Sequence, residues 1–207
     1  MSLATLRPIF LSASIPTRRP WDEASDPFEI TDAVVAFTRA VLTGGGRIVT
    51  AAHPTIAPLI LYVAAELPIE FIEAPVIVYQ SEVFRDVLPS ATVEMAERGL
   101  ADMRYTPAVS GEPPDPVAAP GSLLLMRRQL LGEVQPSACV FVGGMEGIFD
   151  EYDLAISLVP DAPRFVLGAP GGAAAELAGA EQELVNGFAY GRVYPALMRR
   201  LVQYLES

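Results

Sequence analysis

The sequence predicts an α/β fold, a three-layer sandwich with a mainly parallel central sheet, in one domain over residues 1–207. Three observations lead there. Short apolar runs suited to buried strands alternate with longer segments of helical spacing, the pattern of a parallel sheet covered on both faces. Two apolar runs end in turns that pass directly into helix-like segments, ACVFVGGMEGIFDEY (138–152) and RIVTAAHPTIAPLI (47–60). At 207 residues and 51% hydrophobic, the chain can bury one sizeable core with little left for a second domain.

The elements follow in order. RPIFLSA (7–13) reads as the first strand, and the polar, Pro-rich SIPTRRPWDEASDP leads from it to a helix over 28–42. There Ile30, Val34, Phe37 and Val41 recur at spacings of 4, 3 and 4 and share one face. Gly44-Gly45-Gly46 ends that helix, and RIVT (47–50) is the second strand. Pro54 suits the first position of the next helix, TIAPLILYVAAEL, with Pro58 in its first turn. PVIVY (75–79) is the third strand, 81–98 is partly helical, and LADMRYTP (100–107) is a further strand. Five prolines between Thr106 and Gly121 predict an extended surface loop. Ser122 is the expected N-cap of SLLLMRRQLL. Strands at 139–142 and 164–167 and an amphipathic helix over 193–205 complete the unit, with no internal repeat or heptad pattern.

Composition removes several classes of function. A net charge of −11 argues against binding nucleic acid through its phosphates, which requires clustered Lys and Arg. A small anion held by backbone amides and one or two arginines is compatible with it. Cys139, the one cysteine, permits no internal disulfide or multi-cysteine metal site and fits a reducing compartment. His53, the one histidine, excludes a multi-histidine metal site. No signal-peptide pattern and no apolar run of membrane-spanning length is present, so the expected location is the cytoplasm. No resident cofactor is implied.

In an open parallel sheet, ligands bind where strands end and helices begin. The exits Thr50–Ile56 and Val142–Glu151 qualify, and both turns face one crevice if their strands are neighbours. Gly143, Gly144 and Gly147 either offer N–H groups to an anion or let the helix pack closely on the sheet. Ser12 and Ser14, after the first strand, either donate to phosphate or cap the following turn. His53 either reads a base or ribose or serves structure. Arg127 and Arg128 point about 100° apart on a helix, so at most one of them faces the crevice and the other is solvated. Arg18, Arg19 and Trp21 either close over a nucleotide or form a surface loop whose tryptophan packs back on the body. Gly171-Gly172-Ala173-Ala174 is another candidate helix start.

Together, FLSAS, GRIVTAAHPTIAPLI, SLLLMRRQLL and VFVGGMEGIFDEYDLA resemble the SLOG superfamily, Rossmann-like domains related to the phosphoribohydrolases that activate cytokinins. The resemblance covers most of 9–174. In the enzymatic relatives the second glycine turn reads Pro-Gly-Gly-x-Gly-Thr-x-x-Glu, and an arginine sixteen residues before its first glycine works with the final glutamate. Arg127 stands sixteen residues before Gly143, and Glu151 four residues after Gly147. The resemblance thus implies Arg127 and Glu151 as the catalytic pair of an enzyme or as ligand-binding residues.

The chain also departs from the enzymatic pattern. Met145 and Glu146 separate Gly144 from Gly147 where the enzymes have one residue, and Ile148 replaces the threonine. Ala51, Ala52 and His53 stand where the enzymes carry several glycines, and each Cβ limits the approach of a phosphate. Glu146 complements the helix dipole but repels a nearby phosphate. GGMEG with His-Pro after the second strand is similar to the sensor-type SLOG branch. That branch is associated with TIR or other effector domains in bacterial antiviral systems and with nucleotide-derived signals such as products of NAD. The resemblance implies a nucleotide-derived small molecule bound in a homo-oligomer that acts through an effector protein. Two further readings stand beside it: a nucleoside 5′-monophosphate phosphoribohydrolase, and an interaction domain without a ligand.

Overall fold

The computed structural model describes residues 3, 6–180 and 185–207. Six strands form one sheet, ordered β4-β3-β2-β1-β5-β6, with every pairing parallel. They are β1 (Ile9–Ser14), β2 (Ile48–Ala51), β3 (Val76–Ser81), β4 (Ala101–Thr106), β5 (Ala138–Gly143) and β6 (Arg164–Leu167). Helices α1 (Pro27–Thr43), α2 (Ile56–Glu66), α3 (Ser90–Glu97) and α7 (Tyr194–Glu206) contribute to one core layer. α4 (Pro120–Val134), α5 (Glu146–Leu158) and α6 (Ala173–Ala180) contribute to the other.

Successive strand residues feed opposite layers, as the two-residue pleat requires. Ile9 and Leu11 join the first core and Phe10 the second, while Val140 and Val142 join the first and Cys139 and Phe141 the second. Every residue of β3 and β5 is buried, which explains why these runs show no polar alternation. Burial also pushes the Cys139 thiol up to about 12, so it is a core side chain and not a nucleophile.

Capping defines the helix boundaries. The Asp26 carboxylate accepts from the Phe28 and Glu29 N–H groups at 2.9 and 3.2 Å, Pro27 follows it in the first turn, and Gly44 ends α1. α2 begins at Ile56, two residues after Pro54, because the His53 carbonyl already accepts the Ile56 and Ala57 N–H groups. Ser122 is not an N-cap: α4 begins at Pro120, and Glu112, nine and ten residues earlier, accepts from the Gly121 and Ser122 N–H groups at 2.8 and 2.7 Å. The Ser122 hydroxyl instead accepts from the Val109 N–H, tying the proline-rich loop to the helix. The partly helical stretch after β3 resolves into a 3-10 turn, Glu82–Val87, and α3. Among the described residues, no helix is long and apolar enough to cross a membrane.

Candidate functional site

Strand order reverses between β1 and β5. One crossover series runs outward through β2, β3 and β4, the other through β6, and this reversal is the topological switch point of an open parallel sheet. The strands of the two exits singled out in the sequence, β2 and β5, are not adjacent, because β1 lies between them. The β2 and β5 turns therefore flank the end of β1.

A buried polar cluster occupies the switch point. Ser12 of β1 donates its hydroxyl to Glu151 Oε2, and Arg127 of α4 donates from Nε to Glu151 Oε1 at 3.0 Å. A second branch of the same guanidinium reaches Asp150 Oδ2 at 2.9 Å. Glu151 is 8% exposed, so its carboxylate is held almost wholly by protein partners. Arg128 points to solvent, as the 100° step requires. The sequence reading missed Asp150, whose position directly before Glu151 was the available signal.

The glycines divide by role. Gly143 and Gly144 have φ of +63° and +77°, a left-handed conformation that favours glycine. A Cβ on Gly143 would lie 2.7 Å from the Ser14 carbonyl oxygen and 2.7 Å from Ile30. The Gly144 N–H donates to the Ser14 carbonyl at 2.7 Å, and its carbonyl accepts from the Ala173 N–H at 2.9 Å. At these two residues the geometry is that of close packing. Gly147 differs: a Cβ there would meet Arg127 Nη2 at 2.5 Å, so its missing side chain leaves room for the guanidinium. The N-cap residue of α5, Met145, has no capping side chain, and among the described residues no other side chain accepts from the first N–H groups of that helix. Ile148 is buried and packs over Gly144. Ser14 contributes its carbonyl to the turn, and Gly171-Gly172 opens α6 as the sequence suggested.

On the other side of β1, Ala51 ends β2 and the buried Ala52 donates its N–H to the Tyr79 carbonyl at 2.9 Å. His53 Nδ1 lies 3.0 Å from Thr55 Oγ1 and 3.4 Å from the Thr55 N–H. A backbone N–H can only donate, so Nδ1 is the acceptor and Nε2 carries the proton. Burial pushes the ring down to about 4, leaving it neutral at neutral pH. His53 thus organises the α2 start and has one N–H donor remaining.

The segment between β1 and α1 reaches the same rim. Arg18 pairs with Glu146 at 2.6 Å, and the Trp21 indole donates to Glu176 of α6 at 2.8 Å while its ring packs on the second core. Among the described residues, no three His, Cys, Asp or Glu side chains gather as a metal site.

A doubly wound parallel sheet with a buried acid–base cluster at its switch point defines a Rossmann-like α/β domain. The chain belongs to the SLOG cluster3 family, whose model matches residues 20–202. Membership of that family points to a nucleotide-related function. A comparison with curated proteins finds no match.

Proposed function

We propose that the protein binds a nucleotide-derived small molecule at the switch point, either derived from NAD or ADP-ribose or a cyclic nucleotide. In this reading it is a sensor in bacterial antiviral signalling, cytoplasmic, homo-oligomeric and coupled to an effector protein. The observation that carries the reading is the Ser12–Glu151–Arg127 cluster, a carboxylate and a guanidinium held nearly dry at the ends of β1 and β5. A carboxylate so placed accepts ribose hydroxyls, and the guanidinium beside it offsets the charge of a phosphate. Met145, Glu146 and Gly147, at the uncapped start of α5, supply backbone donors, and His53 supplies one more from Nε2.

Thermal unfolding and calorimetry with NAD, ADP-ribose, its cyclic isomers and cyclic dinucleotides test the proposal. Saturable binding by at least one is expected, weakened about tenfold or more by Arg127→Ala or Glu151→Ala. Absence of stabilisation by every compound would overturn it. A second reading is favoured by one observation, that Arg127 and Glu151 form an ion pair at the register of the enzymatic relatives' catalytic pair. As a phosphoribohydrolase the protein would release free base from AMP, and Glu151→Gln would abolish that release. Glu146 in the first turn of α5 and the Cβ atoms of Ala51 and Ala52 weigh against the 5′-phosphate pocket that reaction needs.

A further inference from the structure

Residues 15–26, between β1 and α1, are held in two different ways. Their far end is fixed by backbone: Ser25 bridges Gly171, the Asp26 N–H donates to the Pro170 carbonyl at 2.9 Å, and the Ala24 carbonyl accepts from the Gly172 N–H at 3.3 Å. The middle is held to the body by side chains, through the Arg18–Glu146 ion pair and the Trp21–Glu176 hydrogen bond. Arg18 and Glu146 are 49% and 54% exposed in their side chains. An exposed pair of this kind shifts an equilibrium by at most about fivefold, so a stronger anion displaces its carboxylate.

Charge at the rim is unevenly committed. Arg127 is engaged by both Asp150 and Glu151 at 15% exposure, whereas Arg18 faces one carboxylate on the first turn of α5. We infer that residues 15–26 form a strap that closes on the phosphate of a bound nucleotide, with Arg18 exchanging the Glu146 carboxylate for that phosphate. This rests on the binding reading given above and adds the recognition element: a phosphate or pyrophosphate, without which a nucleoside does not engage the strap. Guanidinium pairs bidentately with phosphate as with carboxylate, and phosphate brings more charge and more acceptor oxygens. Glu146 acts as a built-in competitor, seating the strap on the empty protein and raising the concentration at which ligand captures it.

Calorimetry with ADP-ribose, AMP and cyclic di-AMP as phosphate-bearing probes, and adenosine as the phosphate-free one, tests the exchange. Arg18→Ala is expected to weaken the phosphate-bearing probe that binds by about tenfold and to leave adenosine unaffected. Glu146→Gln is expected to tighten the same probe by up to about fivefold, and the gain to vanish in the double variant with Arg18→Ala. Trp21, the one tryptophan of the chain, gives a second readout. Its fluorescence should shift on ligand addition in the wild type, and part of that shift should already be present in ligand-free Glu146→Gln. Binding that depends on Arg127 but is the same in Arg18→Ala and Glu146→Gln would overturn the strap and leave the binding reading standing. No binding of any probe to the wild type or to Glu146→Gln would overturn both.

Discussion

The Arg127 guanidinium and the Glu151 carboxylate, 24 residues apart in sequence and on different helices, meet at 3.0 Å with side chains 15% and 11% exposed. In this nearly dry setting Arg127 compensates the charge of Glu151, while Asp150 shares the same guanidinium from the exposed side. Arg127→Ala leaves the Glu151 carboxylate with Ser12 alone, and the expected cost is about 1–3 kcal/mol of stability together with ligand affinity. Glu151→Gln keeps the shape and one acceptor oxygen, so denaturant unfolding should show a smaller loss while calorimetry shows the same loss of binding.

Gly147→Ala separates site from scaffold. The new Cβ would meet Arg127 Nη2 at 2.5 Å, the far end of a side chain that can move, and alanine is a better helix residue than glycine. Stability is expected to stay within about 1 kcal/mol while affinity falls as the guanidinium is displaced. Equal affinity in wild type and variant would show that Arg127 need not sit where it does.

Gly172→Ala is expected to act on the scaffold instead. Its φ is +70°, and a Cβ would lie 2.7 Å from the carbonyl carbon of Gly143, where backbone cannot yield cheaply. A loss of about 2–4 kcal/mol is expected. Gly99→Ala provides the control, because φ is +81° there but nothing among the described residues lies within 4 Å of the added Cβ. It should cost about 1 kcal/mol. Denaturant midpoints of the two variants check the contrast.

The pH dependence of stability carries a His53 contribution of definite sign. The folded ring has its value lowered to about 4 from 6.5, so between those values the unfolded chain binds more protons and stability falls as the medium is acidified. The contribution is present above pH 6.5 and lost progressively towards pH 4. His53→Gln should therefore flatten the stability profile between about pH 6.5 and 5, where carboxylates contribute less. An unchanged slope in that window would mean that the ring is not held neutral.

The sequence foretold the elements well where periodicity alone decides. The i, i+4, i+7, i+11 stripe of α1 and the uninterrupted apolar runs of β3 and β5 correspond to buried faces in the structure. It failed where the deciding partner is distant in sequence. Glu112 caps α4 in place of Ser122, and the backbone of the β2 exit starts α2 later than Pro54 suggested. At the site, the register of Arg127 with Glu151 was legible as spacing. The roles of Gly143 and Gly144 were not, because their close contacts come from Ser14, Ile30 and Ala173. Asp150 as a second anchor and Arg18 as the partner of Glu146 likewise depend on folding to bring strap, α4 and α5 together.

The glycine pairs 143–144 and 171–172 stack backbone on backbone, with the Ala24 carbonyl hydrogen-bonded to Gly172. Two successive strand-to-helix loops are thereby welded into one block, and that block also fastens the far end of the strap. The segment leading into α1 is thus fastened by backbone at its far end and by the side chains of Arg18 and Trp21 across its middle. Through the hydrogen bond from Trp21 to Glu176, the middle of the same segment is tied to α6, the helix that follows the edge strand β6, so three consecutive connections of the sheet edge share one set of contacts.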